Sequence, residues 1–226
     1  MPELSELFKG RDAFVPTVPP FPGQRDTTRY QVSGTRVPSV TEILDFAGLS
    51  DFSRIPKDVL ENAANRGKWA HYFCERISHG IDGDELTAEF EIPEEVEPRL
   101  EAYRKFLAES RFEAIEVEHV VVSTARGYAG TVDLIGNLPG VGLSLIDVKL
   151  PILAAASWKL QTAGYALAYE HQANTMIQAR YSLQLSKEGR YNLTPHQETY
   201  TDTHDFLAAV RVAHFKIRNG IAKLED

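Results

Sequence analysis

Apolar and polar positions along the chain follow two different periods, and the change between them divides the sequence. Before residue 112, apolar residues recur every three or four positions, which is the spacing of amphipathic helices. From residue 112 the period becomes two, and the runs predict three strands: FEAIEVEHVVVS, GYAGTVDLIG and LSLIDVKL. A helix over about 154–171, strands in TMIQARYSLQLS and YNLTP, and a helix over about 202–218 follow. This order predicts an α/β fold with a mixed central sheet, flanking helices and an N-terminal helical region.

The helical region carries readable start and stop signals. TRYQVSGTRVP predicts a hairpin over 28–38 that turns at Ser33-Gly34. Ser39 and Glu42 have the spacing of a capping box, which predicts a helix over about 40–48.

Two more helical stretches lie on either side of a glycine. Proline in a first turn predicts a helix from Pro56 to about Asn65, and Arg66-Gly67 interrupts it. Helical spacing resumes in KWAHYFCERISHG over 68–80. A further helix in PEEVEPRLEAYRKFLAES, whose start could be as late as Pro98, has one apolar stripe, formed by Val96, Leu100, Tyr103, Phe106 and Leu107.

The composition is that of a globular protein, with 226 residues of which 43% are hydrophobic and 25% charged. Residues 1–27 are rich in proline and polar residues and predict an extended arm, which leaves 28–226 as one domain. There is neither a signal-peptide pattern nor an apolar run of 18 residues, and the single cysteine, Cys74, fits a reducing cytoplasm. The net charge of −8 argues against non-specific coating of nucleic acid.

Three charged residues stand in segments that otherwise predict buried strands. Asp133 lies in TVDLIG, and Asp147 and Lys149 lie in LIDVKL. Asp147 and Lys149 share one strand face, because side chains alternate with a period of two. Buried charges pair with each other, bind a metal or face a cleft. The sequence therefore leaves two alternatives, a cross-strand salt bridge or a site whose oxygen ligands suit Mg²⁺ or Mn²⁺.

Two helices add polar pairs at a spacing of four residues, which brings each pair to one helix face. Gln161 and Tyr165 could donate hydrogen bonds to phosphate oxygens, or could belong to an ordinary amphipathic helix. His71 and Glu75 form the second pair; His71 could be a structural histidine, and Glu75 could pair with an arginine.

The ordered set of motifs resembles a known family. In chain order the motifs are P-S-V-T-E-I-L from Pro38, R-G-K-x-x-H-x-x-x-E from Arg66, G-x-x-G-T-x-D from Gly127, I-D-x-K from Ile146 and Q-x-x-x-Y from Gln161. The set resembles the PD-(D/E)XK nuclease superfamily, specifically the RecB-like exonuclease branch that includes phage exonucleases and the mitochondrial genome maintenance exonuclease. The resemblance implies a restriction-endonuclease-like core within 28–226.

The resemblance also implies roles for individual residues. Asp133, Asp147 and the Val148 carbonyl would bind a metal, and Lys149 would orient the attacking water. His71 would be a further metal ligand, and Gln161 and Tyr165 would position the DNA strand. Glu75 and Glu118 are possible supporting carboxylates, although Glu118 could equally be a solvated strand residue.

Some positions depart from the family pattern or fit it loosely. Val132 stands where the superfamily's name has proline, and Leu150-Pro151 follows Lys149 where the branch has threonine.

The aromatic residues near the motifs could stack on unpaired bases or pack in the core; they are Trp69, Tyr128 and Trp158.

The expected function is that of a metal-dependent DNA exonuclease using Mg²⁺, with Mn²⁺ as a substitute, in recombination, repair or replication. Its expected partners are DNA ends and an annealing, replication or recombination protein, in the cytoplasm of a bacterial or phage-infected cell. Three alternatives remain: an inactive binding module on this fold, a structure-selective endonuclease, and a phosphohydrolase acting on small molecules.

Overall fold

The structure, a computed structural model, describes residues 30–50, 57–150 and 155–224. The predicted arm over 1–27 lies outside these residues, as do Pro56, Pro151 and the predicted helix start at Ala154. Within the described residues, no helix is long and apolar enough to cross a membrane.

The predicted hairpin is confirmed and consists of β1 (Tyr30–Val32) and β2 (Thr35–Val37), paired antiparallel. Its two turn residues, Ser33 and Gly34, both have positive φ angles, 51° and 76°. Two consecutive positive φ angles define the turn that matches the right-handed twist of a hairpin.

The predicted capping box is also confirmed, at the start of helix α1 (Val40–Phe46). The backbone N–H of Glu42 donates to Ser39 Oγ at 3.0 Å, and the Ser39 N–H donates to Glu42 Oε2 at 2.7 Å. Each side chain thus satisfies a backbone donor that the first helical turn leaves unpaired.

The prediction of a helix break at Arg66-Gly67 is wrong, because α2 runs without interruption from Lys57 to Ser78. Residues after the glycine hold the helix in the core; they are Ala70, Phe73, Cys74 and Ile77. Tertiary packing of an apolar face outweighs the local helix propensity of one residue. The next helix, α3 (Glu97–Ser110), buries most of the predicted stripe.

The predicted α/β architecture is confirmed, with a mixed five-stranded sheet between two layers of helices. The remaining elements are β3 (Glu113–Ser123), β4 (Tyr128–Leu138), β5 (Gly142–Lys149), α4 (Ser157–Ala173), β6 (Ala179–Leu185), β7 (Tyr191–Pro195) and α5 (Thr199–Arg218). The strands lie in chain order, and all neighbours are antiparallel except β5 and β6, which α4 connects. Helices α2 and α3 share one apolar cluster with this sheet, and α1, α4 and α5 share another.

The sheet opens between β4 and β5. Their paired positions run from Leu138 opposite Gly142 to Leu134 opposite Ile146. Asp133 and Asp147 are the next residues beyond the last pair, while β5 stays paired with β6 as far as Lys149. The two aspartates therefore stand at the point where neighbouring strands separate.

A buried ion pair connects β6 to the two helices α4 and α5. Arg180 is 2% exposed and Asp202 is 1% exposed, and Arg180 Nη2 lies 2.7 Å from Asp202 Oδ2. Arg180 Nη1 also donates to the Lys159 carbonyl at 2.8 Å and to Thr162 Oγ1 at 3.2 Å. The first turns of α4, which also carry Gln161, are thereby fixed to the sheet.

His196, just after β7, gives the fold a dependence on pH. Its Nε2 lies 2.9 Å from Ser182 Oγ. Burial, and then the positive charge of Arg180, lower its pKa from 6.5 to about 4. Between these two values the unfolded chain binds a proton that the native protein does not bind. The free energy of unfolding must therefore fall as the pH drops through this range.

We expect the His196 effect to lower the free energy of unfolding by about 1 kcal/mol between pH 7 and pH 5, since partial solvent exposure weakens it. His196→Gln keeps a hydrogen-bonding group but cannot be protonated, so its pH dependence should be smaller by that amount. Urea unfolding of both proteins at the two pH values measures the difference. Equal pH dependence in the two proteins would contradict the assignment.

Candidate functional site

A cleft of about 320 Å³ lies at the opening between β4 and β5. Residues from the hairpin, from α1, α2 and α4, and from three strands line it: Tyr30, Ser39, Thr41, Ala64, Gly67, Lys68, His71, Glu118, Gly130, Thr131, Asp133, Asp147, Lys149, Gln161 and Tyr165. Motifs that are far apart in the sequence thus meet at one place.

One side of the cleft holds an imidazole between two carboxylates. His71 Nδ1 lies 3.0 Å from Asp133 Oδ1 and 3.7 Å from Glu118 Oε1. The other oxygen of Asp133, Oδ2, accepts a hydrogen bond of 2.6 Å from the backbone N–H of Val148. This bond links β4 to β5 just beyond the end of their pairing, and it orients the Asp133 carboxylate.

The negative charges of Asp133 and Glu118 decide the protonation of His71. Burial alone would lower the pKa of His71, but the charge and hydrogen bond of Asp133, together with Glu118, raise it to about 10. Burial opposes the ionisation of Asp133, but the positive charges of His71 and Lys149 and the Val148 N–H keep its pKa below the ordinary value. The carboxylates therefore favour positive charge at this position, and they favour the protonated form of the His71 imidazole.

The same residues fit a divalent metal ion. Among the described residues, His71, Glu118 and Asp133 form a group whose ligand atoms all lie within 4.8 Å of one another. Two carboxylates and one imidazole are a donor set that a divalent cation accepts. An ion bound there would replace the proton of His71, because only the neutral imidazole is a ligand.

Glu118 reaches this group from an unusual backbone conformation. It lies in the middle of β3 with a φ of 49°, in the left-handed region that residues other than glycine rarely adopt. Such strain persists only where surrounding structure holds it, and it concentrates at functional sites. A strand pattern does not reveal this conformation, so Glu118 and Glu75 are equally possible supporting carboxylates when judged from sequence alone.

A chain of polar contacts forms the other side of the cleft. Asp147 Oδ2 lies 2.6 Å from Lys149 Nζ, which donates to Gln161 Oε1 at 2.7 Å. Gln161 Nε2 donates in turn to the hydroxyl of Tyr165 at 3.0 Å. The Lys149 ammonium also lies 5.8 Å from the centre of the Trp158 ring. The predicted face of α4 therefore contacts the predicted D-x-K strand.

Burial is the main influence on the pKa of Asp147. It raises that pKa to about 6, although the charge of Lys149 opposes the rise. A carboxylate with such a pKa is largely ionised at neutral pH. It can therefore serve as a ligand or a charge partner there.

Glycine and hydroxyl residues that sequence reasoning did not single out complete the cleft. A Cβ at Gly130 would lie 2.5 Å from Tyr165 Cε1, so only glycine lets this ring lie against β4. Thr131 Oγ1 lies 2.8 Å from the hydroxyl of Tyr30, and both residues line the cleft. The G-x-x-G-T-x-D motif contained Gly130 and Thr131, but no sequence signal pointed to Tyr30.

The structure leaves other predicted residues away from the cleft. Glu75 lies one turn beyond His71 on α2 and is not among the residues that line the cleft. Trp69 is partly buried and packs on Phe73 at the edge of the core, and Tyr128 is fully buried within the core. Trp158 is 8% exposed and lies beside Lys149.

Comparisons with known proteins give a limited likeness. Neither a protein-family model nor a curated protein matches the chain. Among solved structures, it is similar to a candidate exonuclease from Eubacterium rectale, with 12% identity, a TM-score of 0.48 and 82% of each chain covered. It is also similar to an alkaline exonuclease from Laribacter hongkongensis, with 15% identity, a TM-score of 0.37 and coverage of 81% of this chain and 92% of that one.

Proposed function

We propose that this chain is a metal-dependent deoxyribonuclease that hydrolyses phosphodiester bonds from DNA ends. The observation that supports it best is the meeting of two groups in one cleft. One group is His71, Glu118 and Asp133, which together could hold a metal ion. The other is the contact chain from Asp147 through Lys149 to Gln161. The motif resemblance to RecB-like exonucleases supports the choice of DNA as the substrate.

Each group of residues has a distinct proposed role. His71, Asp133 and Asp147 hold Mg²⁺ or Mn²⁺, with the Val148 carbonyl as a further ligand and Glu118 as an additional carboxylate. The ion supplies Lewis-acid polarisation of the phosphate and positive charge in the transition state. Glu75 has at most a supporting role outside the cleft.

Lys149, Gln161 and Tyr165 act on the water and on the DNA strand. The Lys149 ammonium, held between Asp147 and Gln161, orients the attacking water and offsets negative charge that develops on the phosphate. Gln161 and Tyr165 donate hydrogen bonds to phosphate oxygens and so fix the strand's position. We place this activity in DNA recombination, repair or replication in a bacterial or phage-infected cell, together with an annealing, replication or recombination protein.

The test compares linear and covalently closed circular DNA of one sequence, each with Mg²⁺, Mn²⁺ or EDTA. We expect loss of nucleotides from end-labelled linear DNA with either metal, no cleavage of the circle, and no reaction in EDTA. Labels at the 5′ end and at the 3′ end, in separate samples, give the polarity of digestion.

Other results would point to other functions. Cleavage of the closed circle would make the protein an endonuclease. Binding of DNA without cleavage under any condition would make it a binding module and refute the catalytic proposal. Hydrolysis of nucleotides or p-nitrophenyl phosphate, with DNA left intact, would indicate a phosphohydrolase acting on small molecules.

A further inference from the structure

Gly67 is a glycine that the protein's own fold does not explain. It lies near the middle of α2, with more than two helical turns on either side. A glycine inside a helix is destabilising relative to alanine, because it loses more backbone freedom on folding. Packing does not require it either: apart from the two chain neighbours and the helix's own backbone, no heavy atom of the described residues would lie within 4 Å of a Cβ added there. Both helix formation and packing would accept alanine at this position.

Gly67 faces the candidate site. Ala64, Gly67, Lys68 and His71 all line the cleft, and their spacing of three and four residues is that of one helix face. Gly67 precedes His71 by about one turn, or roughly 6 Å along the helix axis. A side chain at residue 67 would therefore project into the cleft next to the proposed metal ligands.

A phosphodiester at the carboxylates would lie between two helices. His71 from α2 contacts Asp133, and Gln161 from α4 contacts Lys149. A DNA strand whose phosphate binds at these carboxylates therefore passes α2 close to His71, and so within about one helical turn of Gly67. Glycine is the residue that lets a ligand approach a backbone closely.

We infer that Gly67 is a substrate-contact position, at which the sugar–phosphate backbone of a DNA strand passes against the backbone of α2. This inference rests on the proposed function, because it assigns the strand's path through the same cleft. A larger residue at 67 narrows that path without touching the metal ligands. A variant with a larger residue at 67 should therefore have a lower kcat/KM on DNA, while its fold and its affinity for metal stay the same.

The test uses Gly67→Ala and Gly67→Leu, with Asn65→Ala as the matched control. Asn65 is an exposed residue of the same helix and does not line the cleft. Gly67→Ala and Asn65→Ala should each raise the Tm by about 2 °C through better helix propensity. The kcat/KM on DNA should fall at least about tenfold for Gly67→Ala, fall further for Gly67→Leu, and stay unchanged for Asn65→Ala. The Kd for Mn²⁺ should be the same in all four proteins.

Two results would overturn the inference. Activity of both Gly67 variants within about twofold of the wild type would show that no strand passes close to this position. A lower Tm in Gly67→Ala, falling together with its activity, would assign the glycine a structural role.

A third measurement separates this inference from the proposed function. If the wild type does not cleave DNA, the proposed function fails, but binding of a fluorescein-labelled oligothymidylate can still be measured by anisotropy. Weaker binding by Gly67→Leu than by Asn65→Ala would then support the assigned path of the strand. Equal binding would refute it.

Discussion

Lys149→Ala is expected to lower the rate of DNA hydrolysis on the order of 10³-fold, the loss typical of removing one preorganised group that stabilises transition-state charge. Lys149 Nζ lies 2.6 Å from Asp147 Oδ2 and 2.7 Å from Gln161 Oε1, so its position is fixed before substrate arrives. No charge rearrangement is then needed when negative charge develops on the phosphate. The measurement is a single-turnover rate on end-labelled linear DNA with saturating Mg²⁺.

Two further variants separate position from charge. Lys149→Arg keeps a positive charge, but its planar guanidinium cannot take the place of a compact ammonium, so we expect its rate to stay at least about tenfold below that of the wild type. Lys105→Ala is the control, because Lys105 forms an exposed ion pair with Glu101 on α3. Its rate should be unchanged. A Lys149→Ala protein that keeps more than about one tenth of the wild-type rate would show that another group orients the water.

Elements with strong local signals could be predicted from the sequence. The Ser39–Glu42 capping box joins donors and acceptors that lie within four residues of each other, and the Ser33-Gly34 turn depends on the φ angles of two neighbouring residues. No distant contact is needed to specify either of them. The period-two strands put Asp147 and Lys149 on one face, and the four-residue spacing put Gln161 and Tyr165 on one helix face. The structure shows these placements, while the catalytic roles of the residues remain proposals.

Features that depend on distant contacts could not be predicted. The helix break expected at Gly67 does not occur, because core packing of residues such as Phe73 outweighs a local propensity that the sequence does show. The separation of β4 and β5 beyond Leu134 and Ile146, and the left-handed backbone of Glu118, are tertiary properties with no periodic signature. The same holds for Tyr30, which meets Thr131 across 101 positions of the chain.

The pairing of Arg180 with Asp202 is a further case in which sequence could not identify a partner. Each residue lies in an element whose other buried positions are largely apolar, and nothing in the strand or helix pattern marks the charge as buried. Their contact determines how the first turns of α4 sit on the sheet, since Arg180 also binds the Lys159 carbonyl. Because α4 carries Gln161, this ion pair lies behind the candidate site without contacting it.

Asp202→Ala is expected to lower the free energy of unfolding by about 3–5 kcal/mol, because it leaves the buried guanidinium of Arg180 without a counter-charge. Arg180 is only 2% exposed and cannot regain solvent without local unfolding. The matched control is Glu101→Ala, which breaks the exposed pair with Lys105 and should leave the free energy of unfolding almost unchanged, because solvent screens exposed ion pairs. Urea unfolding monitored by circular dichroism measures both values.

The double variant Arg180→Met with Asp202→Leu separates the contribution of charge from that of position. Apolar residues of similar volume remove both charges, so most of the stability lost in Asp202→Ala should return. The hydrogen bonds from Arg180 to Lys159 and Thr162 do not return, so α4 loses its hydrogen bonds to β6 through this side chain. We therefore expect the double variant to have near wild-type stability. Its kcat on DNA should be at least about tenfold below that of the wild type, because a small displacement of Gln161 disturbs Lys149. Recovery of kcat together with stability would show that the ion pair stabilises the fold and does not position the helix.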